Sequence, residues 1–150
     1  MEFSCDFEIL QFALAREVEA YNFYMAMAEH VKSAEISKVF EDLAKEELEH
    51  KARLELEIVK IGRVVEREQP QLIPDHDYVV TNSNEKLDLD YVDVLALGIE
   101  KERAAFRTYV ELIEHVNDKQ SREVLLELAE EEVRHKLRFQ NEYDALLKQG

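Results

Sequence analysis

The stretch Leu43-Ala44-Lys45-Glu46-Glu47-Leu48-Glu49-His50-Lys51 decides how the chain is read. Together with Phe40, Leu54, Ile58 and Ile61, its apolar residues recur at helical spacing and mark one face of a helix. Glu47 and His50 lie inside that face, one turn apart. The same arrangement returns as Leu128-Ala129-Glu130-Glu131-Glu132-Val133-Arg134-His135-Lys136. Two Glu-x-x-His pairs, each set in an apolar seam, point to a metal site.

The recurrence extends well beyond these residues. With an offset of 85 positions the two halves align without a gap, and 14 identities fall between positions 17 and 53. They include Glu17/Glu102, Tyr24/Tyr109, His30/His115, Glu47/Glu132 and His50/His135. Self-similarity of this kind implies two copies of one supersecondary unit, here a helical hairpin.

Each hairpin is legible element by element. Ser4 is expected to cap a first helix running to about Val31, with a stripe of Leu10, Leu14, Glu17, Tyr21, Tyr24, Ala28 and Val31. Ser33 starts the second helix, which Gly62 ends unless the helix runs on toward Glu68 and Pro70. Residues 70–87 lose all periodicity and read as an irregular connection. Asp88 or Asp90 caps a third helix with the stripe Leu95, Ile99, Glu102, Phe106, Tyr109, Ile113 and Val116. Asp118 caps a fourth, with Leu125, Leu128, Glu132, His135, Phe139, Glu142 and Leu146. Gly98 inside the third helix costs roughly 1 kcal/mol against alanine and would allow a close helix approach.

Composition sets the bounds. The 150 residues suit a single domain spanning 1–150, and only 3 glycines and 2 prolines suit long helices. A net charge of −15 disfavours nucleic acid and anionic membrane as partners. No apolar run approaches the ~20 residues of a membrane span. Cys5 is the one cysteine, which excludes an internal disulfide and fits a reducing compartment and an incidental packing role. The N-terminus lacks the pattern of a signal peptide, so cytoplasm is the expected location.

Hairpin arithmetic brings the polar residues to one level. Glu17 and Glu47 are centred on residue 32, and Glu102 and Glu132 on residue 117, so each carboxylate lies ~20 Å from its turn. Four carboxylates and two imidazoles then project inward. Buried without compensation, each carboxylate costs several kcal/mol. Two divalent cations would neutralise the four charges, and mixed carboxylate and imidazole donors suit iron first and manganese second. Off the stripe, Glu46, Glu49, Glu131 and Arg134 read as solvated, His30 and His115 as helix C-terminal residues, and His76 as a loop residue. Tyr24 and Tyr109 lie two turns from Glu17 and Glu102. Either they pack in the core, or they hydrogen-bond a ligating carboxylate and act as redox-active neighbours.

This pattern resembles the ferritin-like superfamily, and within it the di-iron domain of the rubrerythrin family. The resemblance covers about residues 5–148 and implies an all-α, ferritin-like four-helix bundle of two repeated hairpins joined by a long crossover. It implies that Glu17 and Glu102 are terminal carboxylates, Glu47 and Glu132 bridging ones, and His50 and His135 the nitrogen ligands. Two departures stand out. The chain has no CxxC pairs for a rubredoxin-like module, so electrons would come from a separate donor, such as a rubredoxin-like protein. Where rubrerythrins carry an extra glutamate, one turn after the third-helix ligand, this chain has Ala105. The function implied is a di-iron oxidase or peroxidase that reduces hydrogen peroxide or O₂, in a homodimer. The alternatives are a ferroxidase that handles iron and a helical interaction domain stabilised by metal.

Overall fold

The structure is a computed structural model that describes residues 2–65 and 90–149. These residues form four helices and no strand: α1 (Asp6–His30), α2 (Ala34–Lys60), α3 (Tyr91–His115) and α4 (Lys119–Gln149). The connection expected at 70–87, with His76 in it, lies outside the described residues. So does Asp88.

The chain divides into two compact units. One comprises Leu10–Leu89 and the other joins Met1–Ile9 to Asp90–Gly150. In the first, α1 and α2 form an antiparallel hairpin. Near the turn, the Ser37 hydroxyl donates to the Ala28 carbonyl at 2.8 Å. One turn deeper, the rings of Tyr24 and Phe40 stack with centroids 6.2 Å apart. Ser33 caps α2 as expected, accepting from the Ile36 amide at 3.3 Å. At the other end Gly62 adopts φ +83°, and the Gly62 and Arg63 amides donate back to Val59 and Ile58. That reverse turn favours glycine and stops α2 at Lys60, short of Glu68.

In the second unit α3 and α4 pair antiparallel. The Tyr91 hydroxyl donates to Glu142 at 2.8 Å, and the Arg122 guanidinium donates to the Val116 carbonyl at 2.7 Å. Asp90 caps α3 and exchanges bonds with Asp93 in a capping box. Asp118 caps α4 by accepting from the Ser121 amide at 2.8 Å, and that bond holds its carboxyl below the usual range. The turn itself is held from far along the chain. The Asp6 carboxylate accepts from the Asn117 and Asp118 amides at 2.8 and 2.7 Å.

Four expectations change near the N-terminus and along the stripes. Ser4 does not accept from an α1 amide; its hydroxyl and amide both donate to Glu8, lowering the Glu8 pKa. Cys5 is exposed, not packed, because it precedes the first helical turn. Phe106 and Ile113 are half-buried, while Leu112 is buried in full. A stripe drawn in steps of three and four drifts around a 3.6-residue helix, and this carries Phe106 and Ile113 toward one edge. Glu142, expected in the α4 seam, is exposed.

Gly98 now has a physical account. A Cβ there would lie 3.2 Å from two ring carbons of Phe139 on α4. The missing side chain lets that aromatic ring lie directly on the α3 backbone.

Candidate metal centre

The six residues expected to bind metal all lie within helices, which orient their side chains. Glu17 is 3% exposed, Glu47 4%, His50 2%, Glu102 1% and Glu132 0%. The His135 side chain is 20% exposed. No helix among the described residues is long and apolar enough to cross a membrane.

In the α1–α2 hairpin the expected convergence occurs. Donor atoms of Glu17, Glu47 and His50 all lie within 4.8 Å of one another. His50 Nδ1 is 3.5 Å from Glu17 Oε2 and 3.9 Å from Glu47 Oε2. In the α3–α4 hairpin the counterpart recurs, with His135 Nδ1 3.8 Å from Glu102 Oε1. Glu132 lies one turn before His135 on α4, fully buried. The offset of 85 residues thus has a geometric counterpart as well as a sequence one.

These separations test whether a metal fits. An ordinary N–H···O bond spans 2.7–3.2 Å. Two donors each ~2.1 Å from one ion stand ~3–4 Å apart, depending on the angle between them. The imidazole–carboxylate distances in both hairpins fall in the second range. The donor set, carboxylate oxygen with imidazole nitrogen and no thiolate, suits iron or manganese. The residues present therefore fit the group.

The neighbours divide. Tyr24 and Tyr109 are both buried, and Tyr24 packs against Phe40 and edge-on to Phe23 at 5.6 Å. His30 and His115 end α1 and α3 as expected. The His30 ring lies 2.7 Å from the Ala26 carbonyl, and the His115 ring meets Phe3 at 6.1 Å. Glu49 and Arg134 are exposed as expected, but Glu46 and Glu131 are half-buried. Each directly precedes a buried glutamate, and 100° around the helix reaches the edge of the core. Gln11 and Glu57 are buried and went unforeseen. No signal separates them from surface glutamine and glutamate, since neither falls on the stripe drawn for its helix. The Gln11 amide takes no hydrogen bond among the described residues.

Four long helices in two repeated hairpins, each burying Glu and His together, define a protein of the ferritin-like class. A solved structure of that fold, the dodecameric bacterioferritin-related thioferritin of Bacteroides fragilis, matches with a TM-score of 0.69 and 23% identity. The match covers 96% of this chain and 87% of that one. The rubrerythrin family pattern matches residues 8–143, and the chain belongs to the rubrerythrin family. No curated protein matches the sequence.

Proposed function

We propose that the chain works as a single di-iron redox domain that reduces hydrogen peroxide or O₂ with electrons from a separate donor protein. The observation that carries this reading is the repeated burial of carboxylates beside an imidazole, at 3.5 Å for Glu17–His50 and 3.8 Å for Glu102–His135. Family membership supports iron as the metal. The ligands are Glu17, Glu47, His50, Glu102, Glu132 and His135.

Iron supplies the one-electron steps that these side chains lack. The four carboxylates supply the negative charge that selects and holds a pair of divalent cations. His50 and His135 complete the donor set with imidazole nitrogen, and the burial of His50 excludes competing water on its side. Tyr24 and Tyr109 donate their phenol protons to a ligating carboxylate, which fixes its orientation. Ala105 leaves no extra carboxylate one turn after Glu102, so the two halves of the centre are alike.

The test is anaerobic loading with Fe²⁺, elemental analysis, and peroxide consumption with a reduced rubredoxin-like donor. Two irons per chain and repeated turnover are expected. A single stoichiometric oxidation without turnover counts against a peroxidase.

A second reading has one observation in its favour, the similarity to a dodecameric thioferritin. On that reading the centre oxidises Fe²⁺ for storage in a large assembly. Mineral iron retained in a particle of high mass supports it, and a small oligomer holding only two irons per chain excludes it.

A further inference from the structure

Glu46 and Glu131 correspond at the offset of 85 residues, and each stands immediately before a buried glutamate. Each also lies four residues before a histidine of the proposed centre, one helical turn away on the same face. Helical side chains lean toward the N-terminus of their own helix. His50 therefore leans over the turn that carries both Glu46 and Glu47, and His135 over the turn that carries Glu131 and Glu132. Glu46 and Glu131 are half-buried, and Glu46 Oε2 is shielded from solvent, whereas Glu49, three residues further along α2, is exposed.

We propose that Glu46 and Glu131 are charge-compensating residues of the centre, whose carboxylates favour the higher oxidation state of each iron and so hold its potential low. The inference rests on the di-iron reading above and goes beyond it, since neither residue is one of the six ligands.

Counting charge gives the reason. Glu17, Glu47, Glu102 and Glu132 carry four negative charges, which balance two Fe²⁺. Both Glu102 oxygens are buried and take no hydrogen bond among the described residues, which suits a side chain whose charge is answered by a cation. Reducing one hydrogen peroxide to two waters takes two protons and two electrons, one electron from each iron. The metal charge then rises from four to six, and the four ligand carboxylates fall two short. One turn after Glu17 and Glu102, where a further carboxylate could make up the difference, the chain has Ala20 and Ala105. Glu46 and Glu131 supply the two charges instead, one from each half of the repeat. At the edge of a core the effective dielectric is well below that of water, so a nearby carboxylate distinguishes a trivalent from a divalent ion.

The test is an anaerobic Fe²⁺ titration of the full chain by calorimetry, followed by an optical redox titration of the loaded protein. The wild type is compared with Glu46→Gln, Glu131→Gln and Glu49→Gln. Loss of either half-buried carboxylate should weaken the hold on Fe³⁺ about tenfold more than that on Fe²⁺, which raises the midpoint potential by about 59 mV. Glu49→Gln removes the same unit of charge from an exposed site, where solvent and salt screen it, and should stay near the wild-type potential. Two bound Fe²⁺ with unchanged or lowered potentials in Glu46→Gln and Glu131→Gln overturn the proposal and leave the di-iron reading standing. An equal rise in Glu49→Gln also overturns it, since net charge alone would then set the potential. A wild type that binds no Fe²⁺ overturns the di-iron reading and the proposal together.

Discussion

Replacing Glu47 by glutamine keeps its shape and removes its charge, which separates two roles of the side chain. Without metal, the Glu47 carboxylate lies close to that of Glu17, and both are almost fully buried. Like charges out of water destabilise the fold. In the presence of a chelator Glu47→Gln should therefore raise stability by about 1–3 kcal/mol, read from thermal unfolding. Added Fe²⁺ should stabilise the wild type by about 2.7 kcal/mol at a hundredfold excess over its dissociation constant, and the variant by clearly less. A lower melting temperature for the metal-free variant would contradict this account. Gln11 offers a control far from iron chemistry. Its buried amide makes no hydrogen bond among the described residues, so Gln11→Leu should stabilise by about 1–3 kcal/mol whether or not iron is present. Tyr91 supplies the pH dependence. Burial, then its bond to Glu142, raises the phenol pKa above 10.0. A raised folded pKa means the contribution is complete below the unfolded value and is lost as pH climbs through the folded one. Urea unfolding between pH 9 and strongly alkaline pH should show that loss, and Tyr91→Phe should remove it.

At the scale of elements, Gly98 and Phe139 form a single packing unit. Gly98→Val introduces atoms where a ring already lies 3.2 Å from the position of a Cβ, and should cost about 1–3 kcal/mol. Phe139→Leu in the same chain should recover part of that loss, and additive effects in the double variant would show that the two do not touch. The four helices, their caps at Ser33, Asp90 and Asp118, and the stop at Gly62 were legible in advance because each depends on a few adjacent residues. At Gly98 a close helix approach was legible but not its partner, because Phe139 sits on the next helix. Nor were Phe106 and Ile113, whose half-exposure depends on where α4 lies beside α3. Ser4 failed for a related reason: a neighbouring carboxylate, Glu8, competes for its hydroxyl and wins.

At the scale of the whole molecule, the repeat made the candidate site readable. Glu47 and His50 alone could occur by chance; a second copy, together with Glu17 and Glu102 at matching distances from their turns, could not reasonably do so. The burial of Glu17, Glu47, His50, Glu102 and Glu132, and the partial burial of His135, were legible from spacing, whereas Glu46 and Glu131 were misplaced by a helix-edge effect. The two compact units do not follow the simple division into successive halves, since residues 1–9 belong with α3 and α4. The bonds from Asp6 to the Asn117 and Asp118 amides cement that grouping, and Asp6→Ala should destabilise the α3–α4 turn by about 1–2 kcal/mol, seen as faster hydrogen exchange there. Those bonds also carry a timing. Asp6 and Asn117 are 111 positions apart, and at ~5–20 residues per second a ribosome needs roughly 6–22 s to make that much chain. Once Lys60 has been added a nascent chain can pair α1 with α2, yet the Asp6 carboxylate still has no turn to hold. The first helical turn synthesised therefore waits for a partner made 111 residues later.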